Sequence, residues 1–267
     1  MDTDLIRHLE ARLVSAESAA RSIGIRPTLF RTPQLTAIEL PRLFEVDRRF
    51  LQEFTFRTTS TARARSPIRR EDLATLAEYG WYLDPELPVG AAAELARALR
   101  EEEPDRVSEE LAHHFQGRVD EIEATLAASF PSRENVLSDA FEAHREGKFN
   151  LSIPVFIAQA DGMCHERLDF LLFIGKEREK GIEEIVKSSD SDMRSQLVGL
   201  FGDPIPLLSS KKDRGTGFSE LNRHLVLHGE SVSYGTQQNS LKVISFLSYL
   251  NFVLAGEGEP QPRQRYA

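Results

Sequence analysis

Leu221-Asn222-Arg223-His224-Leu225-Val226-Leu227-His228-Gly229 decides the reading of this chain. Apolar residues fill the positions between the charged and polar ones, as expected of a helical segment. Gly229 is placed to stop it, because glycine adopts the left-handed conformation at a helix end without a Cβ clash. Upstream, Gly215-Thr216-Gly217 marks the lead into this helix. Downstream, Thr236 is placed to cap a final apolar helix from Gln237 to Leu254. An arginine that holds a phosphate and a histidine that moves a proton suffice together for metal-free RNA cleavage. Positions five apart lie about 140° apart around an ideal helix, so Arg223 and His228 do not share a straight face. Either His228 sits at a frayed last turn, or a second copy of the chain completes the site.

Working outward, helical signals dominate. Leu5, Leu9, Leu13 and Ala20 recur among charged positions and predict an opening helix over residues 4–22 behind a Thr3 or Asp4 cap. Residues 28–56, broken by Pro33 and Pro41, predict short strands or broken helices. Helices are expected over 71–79, 90–102 and 105–129, with Trp81 in the turn between the first two as a core plug. Phe130-Pro131-Ser132 suggests a domain boundary, with Ser132 capping a helix that Gly147 ends near Glu146. Residues 150–174 read as the buried central helix, carrying Pro154 in its first turn. A short helix and a loop marked by Gly202, Pro204 and Pro206 are expected within 176–212. The expected organisation is a mainly helical N-terminal region over 1–130, a helical domain over 131–256, and a disordered tail over 257–267. The fold class is all-α.

Composition narrows the function classes. With 40% hydrophobic residues in 267, the chain is long enough to bury a substantial core. A net charge of -9 argues against nonspecific coating of nucleic acid but permits a local basic cleft. Arg57, Arg63, Arg65, Arg69 and Arg70 form such a concentration, read as a solvated linker or an RNA-guiding or partner-binding arm. No apolar run reaches the roughly 20 residues that span a bilayer. The N-terminus is acidic, so a cytoplasmic protein is expected. The single cysteine, Cys164, excludes an internal disulfide and a multi-cysteine zinc site, and is read as packing. Phosphate-loop, nucleophile-elbow and dinucleotide fingerprints are absent from the sequence.

Arg223-His224-Leu225-Val226-Leu227-His228 has a polar residue directly after the arginine, an apolar spacer, and a glycine after the last histidine. It resembles the Arg-polar-x-x-x-His pattern of ribonucleases in the HEPN superfamily (higher eukaryotes and prokaryotes nucleotide-binding). Tyr234-Gly235-Thr236, Asn239-Ser240-Leu241-Lys242 and Ile153-Pro154-Val155-Phe156-Ile157-Ala158-Gln159-Ala160-Asp161-Gly162 are similar to bacterial and phage-encoded proteins of that type. The resemblance covers residues 130 to 255 and implies an antiparallel helical bundle and a homodimer that pairs two motifs across a two-fold axis. It also implies a metal-independent endoribonuclease needing no cofactor. Such an enzyme would be an effector of a toxin-antitoxin or phage-defence system, with RNA as substrate and an antitoxin or regulatory protein as partner. Arg223 would hold the phosphate, and His228 would take the 2′-hydroxyl proton or protonate the leaving 5′-oxygen. Asn222, His224 and Tyr234 are candidates for orienting His228 or the phosphate.

Three competing readings accompany this one. A non-catalytic helical binding or dimerisation module would use the pair only structurally, against carboxylates such as Glu230 or Asp161. His224 and His228, four apart, have a zinc-compatible spacing, but Leu225 stands where a His-Glu-x-x-His enzyme has its glutamate. Asp161 and Glu166 would have to complete such a site. Arg106 to His113 also satisfies the bare Arg-His spacing, and His113-His114 is expected to be solvated surface.

Overall fold

The computed structural model describes residues 68–255, apart from 89, 102, 103 and 190. Residues 4–22, 28–56 and 257–267, with the arm residues Arg57, Arg63 and Arg65, lie outside the described residues. The described residues form helices and turns, with no strand among them. The protein is all-α over this span.

The helices are α1 (Arg70–Glu78), α2 (Ala91–Glu101), α3 (Pro104–Ser129), α4 (Glu134–Arg145), α5 (Phe149–Leu168), α6 (Gly175–Ser188), α7 (Asp192–Gly199), α8 (Arg223–Leu227) and α9 (Gln237–Ala255). The long α3 buries Val107, Leu111, Phe115, Val119, Ile122 and Leu126, a stripe at three- and four-residue spacing. That stripe packs against α9, and α4 packs between α3 and α5.

The central helix is α9, not the 150–174 segment. Leu241, Val243, Ile244, Phe246, Leu247, Tyr249, Leu250, Val253 and Leu254 are all buried, so α9 is covered nearly all round. By contrast, α5 buries one face through Ile153, Phe156, Ile157, Ala160 and Met163, and leaves Leu151 exposed. It also stops at Leu168, six residues early, because Asp169 turns left-handed at φ 61°. Residues 176–212 hold two helices, α6 and α7, where one was expected.

The turn at residue 130 lies inside a core rather than between two. Phe130 is fully buried, and a continuous cluster of apolar residues runs from Leu73 to Leu254. Every described residue accordingly falls within one compact unit. Ser132 does not cap α4: it sits in a 3-10 turn, Pro131–Arg133, and its hydroxyl donates to Glu166 at 3.1 Å. Gly147 does end α4, at φ 73°. Its N–H reaches the His144 carbonyl at 3.0 Å, and the Lys148 N–H reaches Ala143 at 2.8 Å, the paired bonds of a Schellman stop.

Two histidine expectations also change. His113 is exposed, but its neighbour His114 faces inward and bonds Asp84 at 2.8 Å. Arg106 pairs with Glu110 one helical turn along rather than with a histidine. Cys164 is buried in the core, where lost hydration pushes its thiol well above the ordinary range, so it packs. None of the described helices is long and apolar enough to cross a membrane.

Candidate functional site

The motif helix α8 is only Arg223–Leu227, and Asn222 makes it. The Asn222 Oδ1 accepts the His224 and Leu225 amides at 3.0 and 3.3 Å, satisfying donors that a helix start leaves open. Its Nδ2 donates to the Pro206 and Ser209 carbonyls at 2.7 and 2.9 Å. Both ends of this buried amide therefore bond the backbone, and the oxygen also receives a long 3.4 Å bond from Arg214. Asn222 anchors the backbone at the start of α8.

Arg223 turns back toward the loop that follows α5. Its Nη2 donates to the Phe173 carbonyl at 2.7 Å, and its guanidinium lies 4.8 Å from the centre of the Phe173 ring. Asp161 holds that loop by accepting the Phe173 amide at 2.9 Å. Burial, then the nearby Arg178 and Arg214, lower the Arg223 pKa, with Asp161 opposing. Asp161 thus sits near Arg223 but spends its oxygen on the backbone.

At the other end of α8, His228 is the residue after the last helical turn and is exposed. Gly229 follows at φ 69° and reverses the chain. The His228 ring lies 4.2 Å from that of His224, and His224 Nε2 is 3.2 Å from Glu230 Oε1. The carboxylate Glu230 therefore serves His224 rather than His228. Among the described residues no hydrogen bond, ion pair or ring contact joins Arg223 to His228 within one chain. The helical phase keeps them apart, as five-residue spacing requires.

Tyr234 has a structural task that the sequence half reveals. Pro154 lies inside α5, in its second turn rather than its first, and lacks the N–H that would bond the Asn150 carbonyl. The Tyr234 hydroxyl supplies a donor to that same carbonyl at 3.2 Å. Tyr234→Phe is expected to cost about 0.5–1 kcal/mol, and less in a Pro154→Ala background, where the helix regains its own donor. A double-mutant cycle by urea denaturation checks this; equal costs in both backgrounds would separate the two residues.

Among the described residues, no group of three or more His, Cys, Asp and Glu side chains is arranged to hold a metal. The carboxylates that might have joined His224 and His228 are used elsewhere. Asp161 binds the Phe173 amide, and Glu166 pairs with Arg133 at 3.0 Å. A small polar cleft of about 60 Å³, lined in part by Asn222, Ser231, Ser233, Tyr234 and Asn239, opens beside α8.

Sequence reasoning missed two residues near the site, Arg178 on α6 and Arg214 in the loop before α8. The signal was present for one of them: Lys211-Lys212-Asp213-Arg214-Gly215-Thr216-Gly217 is a basic, glycine-bearing run directly upstream of the motif. No family model matches the chain, nor does any curated protein or solved structure.

Proposed function

We propose that this protein is a metal-independent endoribonuclease of HEPN type that works as a homodimer. The observation that carries the reading is α8 itself. This short capped helix presents an exposed His228, backed by His224 and Glu230, and carries the half-buried Arg223 at its other end. In the proposed reaction His228 accepts the proton of a ribose 2′-hydroxyl, and the 2′-oxygen attacks the adjacent phosphorus. The 5′-oxygen leaves with the proton that the protonated His228 gives back, producing a 2′,3′-cyclic phosphate and a 5′-hydroxyl and restoring the neutral imidazole. Arg223 stabilises the negative charge that grows on the phosphoryl oxygens. His224, held by Glu230, orients the His228 ring. Because Arg223 and His228 do not meet within one chain, a two-fold partner places the arginine of one copy near the histidine of the other. Leu227 and Val232, exposed on either side of His228, are apolar surface that a second copy would cover.

The RNA target would make the protein growth-inhibiting when expressed, as an effector in a toxin-antitoxin or phage-defence system held in check by a partner protein. A second reading, a non-catalytic helical binding or dimerisation module, draws on one observation. The Arg223 guanidinium already has a carbonyl and an aromatic face as partners.

Incubating the protein and its His228→Ala variant with mixed cellular RNA in EDTA separates the two. Cleavage by the unsubstituted protein alone, ending in cyclic phosphates, is expected. Loss of a general base typically lowers the rate by about 10²–10⁴. Equal cleavage by both would remove His228 from the chemistry, and no cleavage by either would favour the binding module.

A further inference from the structure

Around Arg223 the chain gathers three guanidinium groups that have no carboxylate partner among the described residues. Arg178 donates to the Leu172 carbonyl at 3.0 Å, and Arg223 donates to the next carbonyl, Phe173, at 2.7 Å. The two side chains are thus fixed on adjacent peptide units. Arg214 joins through a long 3.4 Å bond to Oδ1 of Asn222, the residue before Arg223. The Nε of each is buried without a hydrogen-bond partner. By contrast, Arg70, Arg133 and Arg145 each meet a carboxylate within 3.0 Å.

Nearby acids offset the cluster only in part: Asp161 acts on Arg223, and Glu179 and Asp213 on Arg178, without forming an ion pair among the described residues. Asp161 accepts the Phe173 amide, Asp213 accepts the Ser210 amide and hydroxyl, and Glu179 is exposed. Burial depresses the pKa of both Arg178 and Arg223, and for Arg223 the other two arginines add to the effect. Cations gathered this way while half-buried are unfavourable until an anion joins them. The adjoining loop adds exposed Lys211 and Lys212. It also carries Gly215 and Gly217, where nothing lies within 4 Å of the position a Cβ would take. Open space therefore borders the cluster. Each guanidinium has five N–H donors in a planar fork, the geometry that suits phosphoryl oxygens.

We propose that Arg178, Arg214 and Arg223 form a binding site for a phosphoryl group, with Lys211 and Lys212 adding to its field. Its ligand, a backbone phosphate of single-stranded RNA, rests on the ribonuclease reading above, whereas the anion site itself does not. Arg178 and Arg214 act here as binding groups outside the Arg-His motif.

The test is binding of fluorescent single-stranded RNA and DNA of about 12 nucleotides, the DNA lacking the 2′-hydroxyl that cleavage needs. The unsubstituted protein is expected to bind both. Arg214→Gln is expected to weaken both about tenfold and to reduce the salt dependence by about one unit. Arg178→Gln, whose Leu172 contact is structural, is read beside its circular dichroism and thermal unfolding; Arg145→Gln is the surface control. Inorganic pyrophosphate is titrated in parallel, and pyrophosphate binding lost in Arg214→Gln, without oligonucleotide binding, supports the site with a free phosphate ligand. Absence of binding to all three probes, or an Arg214→Gln variant that binds as tightly as the unsubstituted protein, overturns the proposal. Arginine-dependent binding of DNA together with uncleaved RNA would retain the anion site and remove the ribonuclease.

Discussion

Asp84→Ala is expected to destabilise the protein by about 3–5 kcal/mol, the range for removing one member of a buried ionic group. The Asp84 side chain has no exposed surface. It receives His114 Nε2 at 2.8 Å and the Glu86 amide at 3.0 Å, with Arg118 Nε at 3.3 Å. Removing the carboxylate takes a buried acceptor from His114 and Arg118, both on α3. Asp84→Asn keeps the size and one acceptor, so a smaller loss is expected. Urea denaturation measures both, and a loss below about 1 kcal/mol for Asp84→Ala would show that the cluster contributes nothing.

The same group gives the stability a pH dependence whose direction is fixed. Burial by itself raises the Asp84 pKa, but the His114 and Glu86 hydrogen bonds and Arg118 outweigh it and hold it below the ordinary aspartate value. A depressed carboxylate contributes stability that is fully present above its unfolded value and is lost as pH falls through the folded one. His144 adds to this at higher pH. Burial, then Arg145, lower its pKa below 6.5, and its Nδ1 meets the Ser240 hydroxyl at 2.8 Å. A buried neutral histidine must charge on unfolding, so its contribution is present above pH 6.5 and declines as pH drops toward the lower folded value. Acidification therefore weakens the fold in two stages, His144 first and Asp84 second. His144→Gln is expected to flatten the first stage of a plot of unfolding free energy against pH; an unchanged profile would exclude His144 as its source.

Trp81→Ala is expected to cost about 3–5 kcal/mol, the range for emptying a large aromatic site in a packed core. Trp81 is fully buried, stacks on Phe115 with ring centres 5.9 Å apart, and carries Lys242 Nζ 5.8 Å above its ring. It links the turn after α1 to α3 and α9, so its loss opens a cavity between three elements that local refolding cannot fill. Trp81→Phe keeps most of the contact and is expected to retain more than half of the lost stability. Thermal unfolding of both variants checks the order; equal stability of Trp81→Ala and the unsubstituted protein would show that the site collapses without cost.

The sequence and the tertiary structure divided the work along a physical line. Signals carried by neighbouring residues were legible. Apolar spacing placed α1, α2, α3 and α9, Thr236 capped α9 through the Asn239 amide at 3.1 Å, and Gly147 and Gly229 ended their helices, because each depends on contacts within a turn or two. The all-α class followed from the same local repetition. What depended on partners distant in sequence was not legible. The early stop of α5, the turn at residue 130 lying within one core, and α9 as the central helix were decided by which faces met in three dimensions. The site divided in the same way. Sequence alone set Arg223 and His228 about 140° apart around a helix, since helical phase is local. Only the tertiary structure tied the Asn222 amide nitrogen to Pro206 and Ser209, spent Tyr234 on the carbonyl left open by Pro154, and brought Arg178 and Arg214 beside Arg223. Those side chains lie between 8 and 84 residues from their partners, a separation over which no local periodicity carries information.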